Sequence, residues 1–386
     1  MSADAVEGEA TPTKLDLLGI VRVLGEGSWH GRFTYSELDE RVLLDGRPFG
    51  ANELTRLQLA LQLEDHAVAR VSDLRRVVTV VAQDHTFHPV RDWIKGLAWD
   101  GIARLDRLLI DRFGADDTPL NRTLGATWLV GVCARVFEPG CNVGGALMLI
   151  ASGGGVGAVG ACAALMPEPG WAGSAAINIG SRDAFVGVHG TCLFELSGHE
   201  SWKKAGNEER RAFVLGRVDR YRQPFDAQVV DHRRQAVLVA TTSLEAFGEH
   251  PIVGPEWWTV IVGDADLVAL ARDRDQLFAE AFARFLAGEP WVLAGESATA
   301  LGAVQRALVV PDTRKARLSE WVARQSQPFT VRAACAEGLG LRPEPEDEAQ
   351  VHQAVGKLLA RLGCVWARPR AEGGGRFTTW ERSVGR

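Results

Sequence analysis

The sequence predicts an α/β protein: a parallel-sheet core carrying a phosphate-loop-like turn, preceded by a mostly helical region and followed by a winged-helix-like end. Three observations predict it. Between Gly145 and about Gly263, short apolar runs ("GALMLIA", "TCLFELS", "QAVLVATTS") alternate with polar turns and helical stretches, and strands apolar on both faces suit a sheet covered by helices on both sides. The first run leads into "IASGGGVGAVGACAALMP" (150–167), a glycine-rich turn of the kind that lets backbone N–H groups approach phosphate. The flanking blocks carry apolar residues at i, i+3, i+4 spacing, the mark of amphipathic helices.

The elements follow in order. Residues 1–14 are acidic and lack an apolar core segment, so they are expected to be disordered, with no signal peptide. Within the helical region 15–144, "GRFTYSELDERVLLDGRPF" alternates like a small hairpin with its turn at Asp45-Gly46. "ELTRLQLALQLEDHA" and "VSDLRRVVTVVAQD" then read as helices, as do two glycine- or proline-ended stretches between His88 and Gly140. The sheet domain spans 145–295 and includes the long amphipathic stretch "DADLVALARDRDQLFAEAFARFLAGEPW". A linker is expected around 295–312. Helices followed by the glycine-tipped "VWARPRAEGGGRFTTWER" give 313–386 a winged-helix pattern.

Bulk properties narrow the function classes. The chain has 386 residues, 46% of them hydrophobic and 24% charged, with a net charge of −6 and a pI near 5.9. That is an ordinary globular balance, with room for a local basic patch only. Six cysteines without paired spacing signal neither a zinc site nor a disulfide framework. No run approaches a membrane span, so a cytoplasmic chain without membrane contact is expected.

The glycine loop is where chemistry is expected and where it is missing. A phosphate-cradling loop ends in Gly-Lys-Ser/Thr: the lysine holds the β/γ-phosphates and the hydroxyl holds Mg²⁺. Here Gly153, Gly154, Gly155 and Gly157 are present, but Ala158 and Val159 stand where the lysine and hydroxyl belong. The plainer alternative is that 153–157 is a glycine-rich turn and nothing more.

"HPVRDWIKGLAWDGIARLDRLLIDRFGADDTPLNRTLGATWLVGVCARVFEPGCNV", then the glycine loop, "GSRDAFVGVHGTCLFELSG", "VDRYRQPFDAQVVDHRRQAVLVATTS" and "LARDRDQLFAEAFARFLAGEPW" stand in this order from about 85 to 292. Together they resemble the virulence-associated protein E (VapE) family of phage and mobile-element proteins. The resemblance implies a P-loop ATPase core of the AAA+/superfamily 3 helicase kind, working with ATP and Mg²⁺ on DNA in rings. Several positions depart from it. Of the acidic pair on the second motif strand, Glu195 is kept and Gly198 replaces the other, with Glu200 two residues on. Ser243 replaces a water-orienting asparagine, and Pro255 and Glu256 replace two arginines that would reach a neighbouring subunit. The packing residues Trp128, Phe137, Pro139, Phe194, Trp257 and Trp258 remain.

Other candidates carry less. His85 and His88 could pair on a metal, but Pro89 favours a helix start. Arg220–Pro224 and Arg233–Gln235 put basic residues beside the sheet, as solvated charge or as a contact for DNA or a neighbouring subunit. Residues 350–386 hold Lys357, Arg361, Arg368, Arg370, Arg376, Arg382 and Arg386 against Glu372 and Glu381, a net +5 in an acidic chain. That asymmetry suits a phosphate backbone, or else a protein-docking module. The expectation is therefore a VapE-like protein without catalytic residues, cofactor or metal. It would act as a DNA-binding or assembly scaffold, self-associating or working beside a replication or mobile-element protein. The alternative is an active ATPase or DNA-helicase-like replication protein with a non-standard or trans-completed site.

Overall fold

The computed structural model describes residues 13–68, 70–152, 159–198, 202, 204–222, 229–309 and 313–342, and in the last segment 352, 355–356, 359, 362–367 and 379–382. It separates into two compact units, 1–306 and 307–386.

Within the first unit, five parallel strands make the central sheet: β1 (Ala146–Ala151), β2 (Ala172–Ala175), β3 (Leu193–Leu196), β4 (Val237–Ser243) and β5 (Trp257–Val262). Their order is β5-β1-β4-β3-β2. The sequence anticipates β1, β3 and β4, whose apolar runs are buried on both faces. Edge strand β2 reads "AGSA" and carries no such signal. At the entrance to β1, Gly145 is obligatory: a Cβ there would lie 2.5 Å from the Glu256 carbonyl oxygen and 2.7 Å from Trp258 Nε1.

The sheet packs against the helix Pro119–Phe137, capped by Thr118 and buried almost all round, and against the helix Leu267–Leu286, capped by Asp266. Phe137 stacks on Phe282 at 4.5 Å between centroids, and these faces form one continuous apolar core with β1, β4 and β5.

The N-terminal region has its own core, built from the helices Leu17–Gly25, Ala51–Leu63 and Val71–Gln83 and a small four-stranded sheet. The Asp45-Gly46 turn forms as the sequence suggests, with both residues at positive φ between Arg41–Leu44 and Arg47–Pro48. Two expectations are corrected. Thr13 and Lys14 are not disordered: with Leu15 they pair in parallel with His66–Val68, the backbone bonding outweighing a polar composition. Residues 1–12 lie outside the described residues. The stretch read as a linker at 295–312 holds the helix Gly295–Leu308. Its apolar stripe is thinned by Gly295, Gly302, serine and alanine, yet Leu301 and Gln305 are buried. The Gln305 amide donates to the carbonyls of Trp257 (2.6 Å) and Gly254 (3.0 Å), fixing the entrance to β5.

The second unit comprises the helix Thr313–Ala323, the strand Phe329–Thr330, a helical turn over 331–338, and the strands Cys364–Ala367 and Thr379–Arg382 in a three-stranded antiparallel sheet. Leu318, Val322, Phe329, Cys335, Leu359 and Trp380 form its core. Among the described residues no helix is long and apolar enough to cross a membrane. All six cysteines are free thiols, and burial pushes the Cys192 thiol up to about 12.

Candidate nucleotide site and basic hairpin

In doubly wound sheets, ligands sit beyond the carboxyl ends of the strands. There, β1 ends at Ala151 beside Ser243 of β4, and Glu195 of β3 lies opposite Val239 of β4. Gly153, Gly154, Gly155, Gly157 and Ala158 fall outside the described residues, as does Glu200. Ser152 enters the loop with both its N–H and its hydroxyl donating to the Val262 carbonyl at 3.0 Å. Val159 leaves it with its side chain 43% exposed, where a Mg²⁺ hydroxyl would be required. The helix that follows is a five-residue segment, Ala161–Leu165, with Gly160 as its left-handed N-cap.

Glu195 is buried, and both of its oxygens are engaged. Oε1 accepts from the Thr241 hydroxyl at 3.0 Å, and Oε2 accepts from the Gly160 N–H at 3.0 Å. The carboxylate thus ties β3 to β4 and to the start of the post-loop helix. Gly198 adopts a left-handed backbone at φ 69°, a conformation that disfavours the acid expected there. Ser243 accepts from the Ala246 N–H at 3.1 Å and so caps the helix Leu244–Glu249. At the far end of the sheet, Pro255 is exposed while Glu256 is buried. Glu256 therefore points into the fold instead of standing at the surface as a repulsive group.

The basic stretches between β3 and β4 form a hairpin that the sequence reading did not foresee: Val218–Tyr221 pairs antiparallel with Val230–Arg233. The signal was present as the alternation in "VDRY" and "VDHR" on either side of a proline-containing turn. Asp219, Tyr221, His232 and Arg234 face inward, whereas Arg220, Arg222 and Arg233 are exposed. Arg234 is 3% exposed and makes a two-pronged ion pair with Asp219, with Nε to Oδ2 at 2.8 Å, and donates also to the Phe213 carbonyl. Arg135, from the central helix, donates to the carbonyls of Gly216 (3.1 Å) and Arg234 (3.3 Å), clasping both strands at the base; burial pushes its guanidinium down to about 10. Arg182 holds the outer end through the Arg222 carbonyl at 2.6 Å. Among the described residues, the outer face keeps one loose pair, Arg220–Asp231 at 3.6 Å.

The sequence therefore grouped residues with different roles. Arg233 is a surface charge, Arg234 a buried strut, and Gln235 a spacer that contacts His88 Nε2 at 2.6 Å and donates to the Glu37 carbonyl at 2.6 Å. His88 caps the helix Pro89–Lys95 by accepting from the Arg91 N–H, so the helix-start reading of the "HTFHPV" stretch holds. Lys357, Arg361, Arg368, Arg370 and Arg376 lie outside the residues whose side chains are described.

The model of the family described as "Virulence-associated protein E-like domain" matches residues 94–309. This is more than half of the chain, and the chain belongs to that family. Among curated proteins none matches. Two solved structures of the NrS-1 C-terminal region, both apo, are loosely similar: one at 9% identity, covering 74% of this chain and 78% of its own with a TM-score of 0.37, the other at 11% identity, covering 74% and 77%, also at 0.37.

Proposed function

We propose that this member of the VapE-like family is a non-hydrolysing protein of the mobile-element replication type, which uses its ATPase-like core as a scaffold for DNA binding or assembly. The observation that carries the reading is the 3.0 Å bond between the Gly160 N–H and Glu195. In a working site that donor would face phosphate and that acid would position Mg²⁺; here they satisfy each other.

The residues at the strand tips fit Mg²⁺-ATP poorly. Val159 offers no oxygen to a cation, Gly198 no carboxylate, and Ser243 is occupied as a cap. Alanine at 158 removes the ammonium that would neutralise the β/γ-phosphates. Backbone donors alone leave affinity at about millimolar or weaker, roughly 4 kcal/mol. Calorimetric titration of the full-length chain with ATP and Mg²⁺ tests this: neither saturable binding below about 1 mM nor phosphate release is expected, and micromolar affinity would overturn the reading.

The DNA part rests on charge. Among the described residues, the exposed hairpin face bears Arg220, Arg222 and Arg233 against Asp231, and the second unit adds the +5 of residues 350–386. A helix, a short strand, a helical turn and two antiparallel strands in that unit support a winged-helix reading of 313–386. Backbone contact with little base preference suits such surfaces. Replacing Lys357, Arg361 and Arg376 with alanine in the full chain should weaken duplex binding at low salt and flatten its salt dependence; unchanged binding would make this unit a protein-docking module.

A further inference from the structure

Beneath the hairpin, three chain segments far apart in sequence bring together Glu40, His189 and His232, whose ligand atoms all lie within 4.8 Å of one another. Glu40 belongs to the turn between Phe33–Ser36 and Arg41–Leu44 of the N-terminal region. His189 ends the helix Arg182–Val188, and His232 is an inward residue of the hairpin. The approach is close enough to require Gly190: it is left-handed at φ 76°, and a Cβ there would lie 2.9 Å from the Asp39 Cβ.

Several buried polar atoms around the cluster lack hydrogen-bond partners. His232 Nδ1 hydrogen-bonds with Glu40 Oε2 at 2.6 Å, while its Nε2 is buried without a partner. Tyr221 stacks on the His232 ring at 4.4 Å, and its hydroxyl is buried and unpartnered; so is Oδ1 of Asp39, whose carbonyl contacts His189 Nε2 at 3.2 Å. Of these atoms, His232 Nε2 belongs to a residue that lines a small cavity beside the cluster, where a polar occupant would satisfy it. A cavity of about 10 Å³ lined by Glu40, His189 and His232 is there to hold it, room for a single water or ion.

We propose that Glu40, His189 and His232 bind a divalent transition metal, Zn²⁺ first, which fastens the N-terminal region to the base of the hairpin. Two imidazoles and one carboxylate are a borderline-soft set that suits Zn²⁺. The ligand atoms of the three side chains converge within 4.8 Å, close enough for one ion to engage all of them. None of these residues belongs to the nucleotide site, and the inference stands whether or not ATP is hydrolysed.

The test uses the full chain, stripped with chelator, loaded with Zn²⁺ and passed over a sizing column before elemental analysis. About one retained equivalent is expected, falling about tenfold or more in both Glu40→Gln and His189→Gln. Retention of no zinc, or retention unchanged in both variants, overturns the site in favour of an ordered water. Should the variants fail to fold, a Co²⁺ titration of the unaltered chain decides. A visible d–d band saturating at one equivalent without thiolate charge transfer supports the site, while no band, or one with thiolate character, sinks it.

Discussion

The carboxyl ends of the sheet strands and the hairpin between β3 and β4 treat polar groups in opposite ways. At the strand tips, Val159 and Gly198 offer no polar side chain, and Glu195 and Ser243 bond internally. In the hairpin, polar residues are dense and sorted by face: Asp219, His232 and Arg234 inside with partners, Arg220, Arg222 and Arg233 outside. The sheet domain is held by one continuous apolar core and does not depend on the polar groups at its strand tips. The hairpin, too small to own a core, depends on ion pairs and on its neighbours.

That contrast predicts its largest effect at the Arg234–Asp219 pair. Both side chains are buried, so Arg234→Ala strands a carboxylate and should cost about 3–5 kcal/mol, seen as an earlier urea transition. Pairing Arg234→Leu with Asp219→Leu should recover much of the loss, since neither charge is then left alone. A single replacement without measurable effect would break the account of the hairpin as an electrostatic structure.

The outer face should respond in the opposite sense. Replacing Arg220, Arg222 and Arg233 with alanine should leave the urea midpoint within about 0.5 kcal/mol, because the one ion pair among them is exposed and long. The same triple variant should lower the salt slope of DNA binding by roughly one unit for each phosphate contact removed. Unchanged DNA binding together with lost stability would reverse the roles of the two faces.

At the strand tips the expected change is smaller. Ala158→Lys with Val159→Ser should restore some phosphate affinity, visible by calorimetry with pyrophosphate, but almost no turnover, since Gly198, Pro255 and Glu256 still supply no catalytic group. Rapid ATP hydrolysis by this variant would show that the other departures do not matter and that the two regions differ less than proposed.

The same contrast governs what the sequence made legible. β1, β3 and β4 announce themselves because strands buried on both faces must be apolar throughout, and the Asp45-Gly46 turn because two consecutive positive φ values favour Asp-Gly. "AGSA" in β2 and "GESATALGAVQRAL" in the helix Gly295–Leu308 are silent, since their small residues suit close packing without advertising a period. At the candidate site, the identities of Ala158 and Val159 are plain from the chain alone. The internal use of Glu195 depends on strand register, which no local pattern encodes. Arg234 could not be separated from Arg233 for a related reason: in a strand one step in sequence exchanges core for solvent, and the hairpin itself had gone unread. The His189–His232–Glu40 cluster is a product of folding only.

The smallest effect concerns pH, and it tests the seam through which the N-terminal region meets the hairpin strand. His88 caps its helix through Nδ1 and contacts Gln235 through Nε2, and burial holds its pKa below the usual histidine value, with Gln235 partly opposing the shift. The folded protein thus holds the ring neutral, whereas the unfolded chain takes up a proton near pH 6.5. The contribution of His88 is therefore fully present above about pH 6.5 and is lost as pH falls through that value towards the lower folded pKa. His88→Asn keeps an acceptor for the Arg91 N–H and removes the titrating group. It should lower stability at pH 7.5 by about 1 kcal/mol and make the decline between pH 6.5 and 5 shallower than in the parent. Thermal scans across that pH range decide it: an equal slope in His88→Asn and the parent would mean that the seam does not titrate.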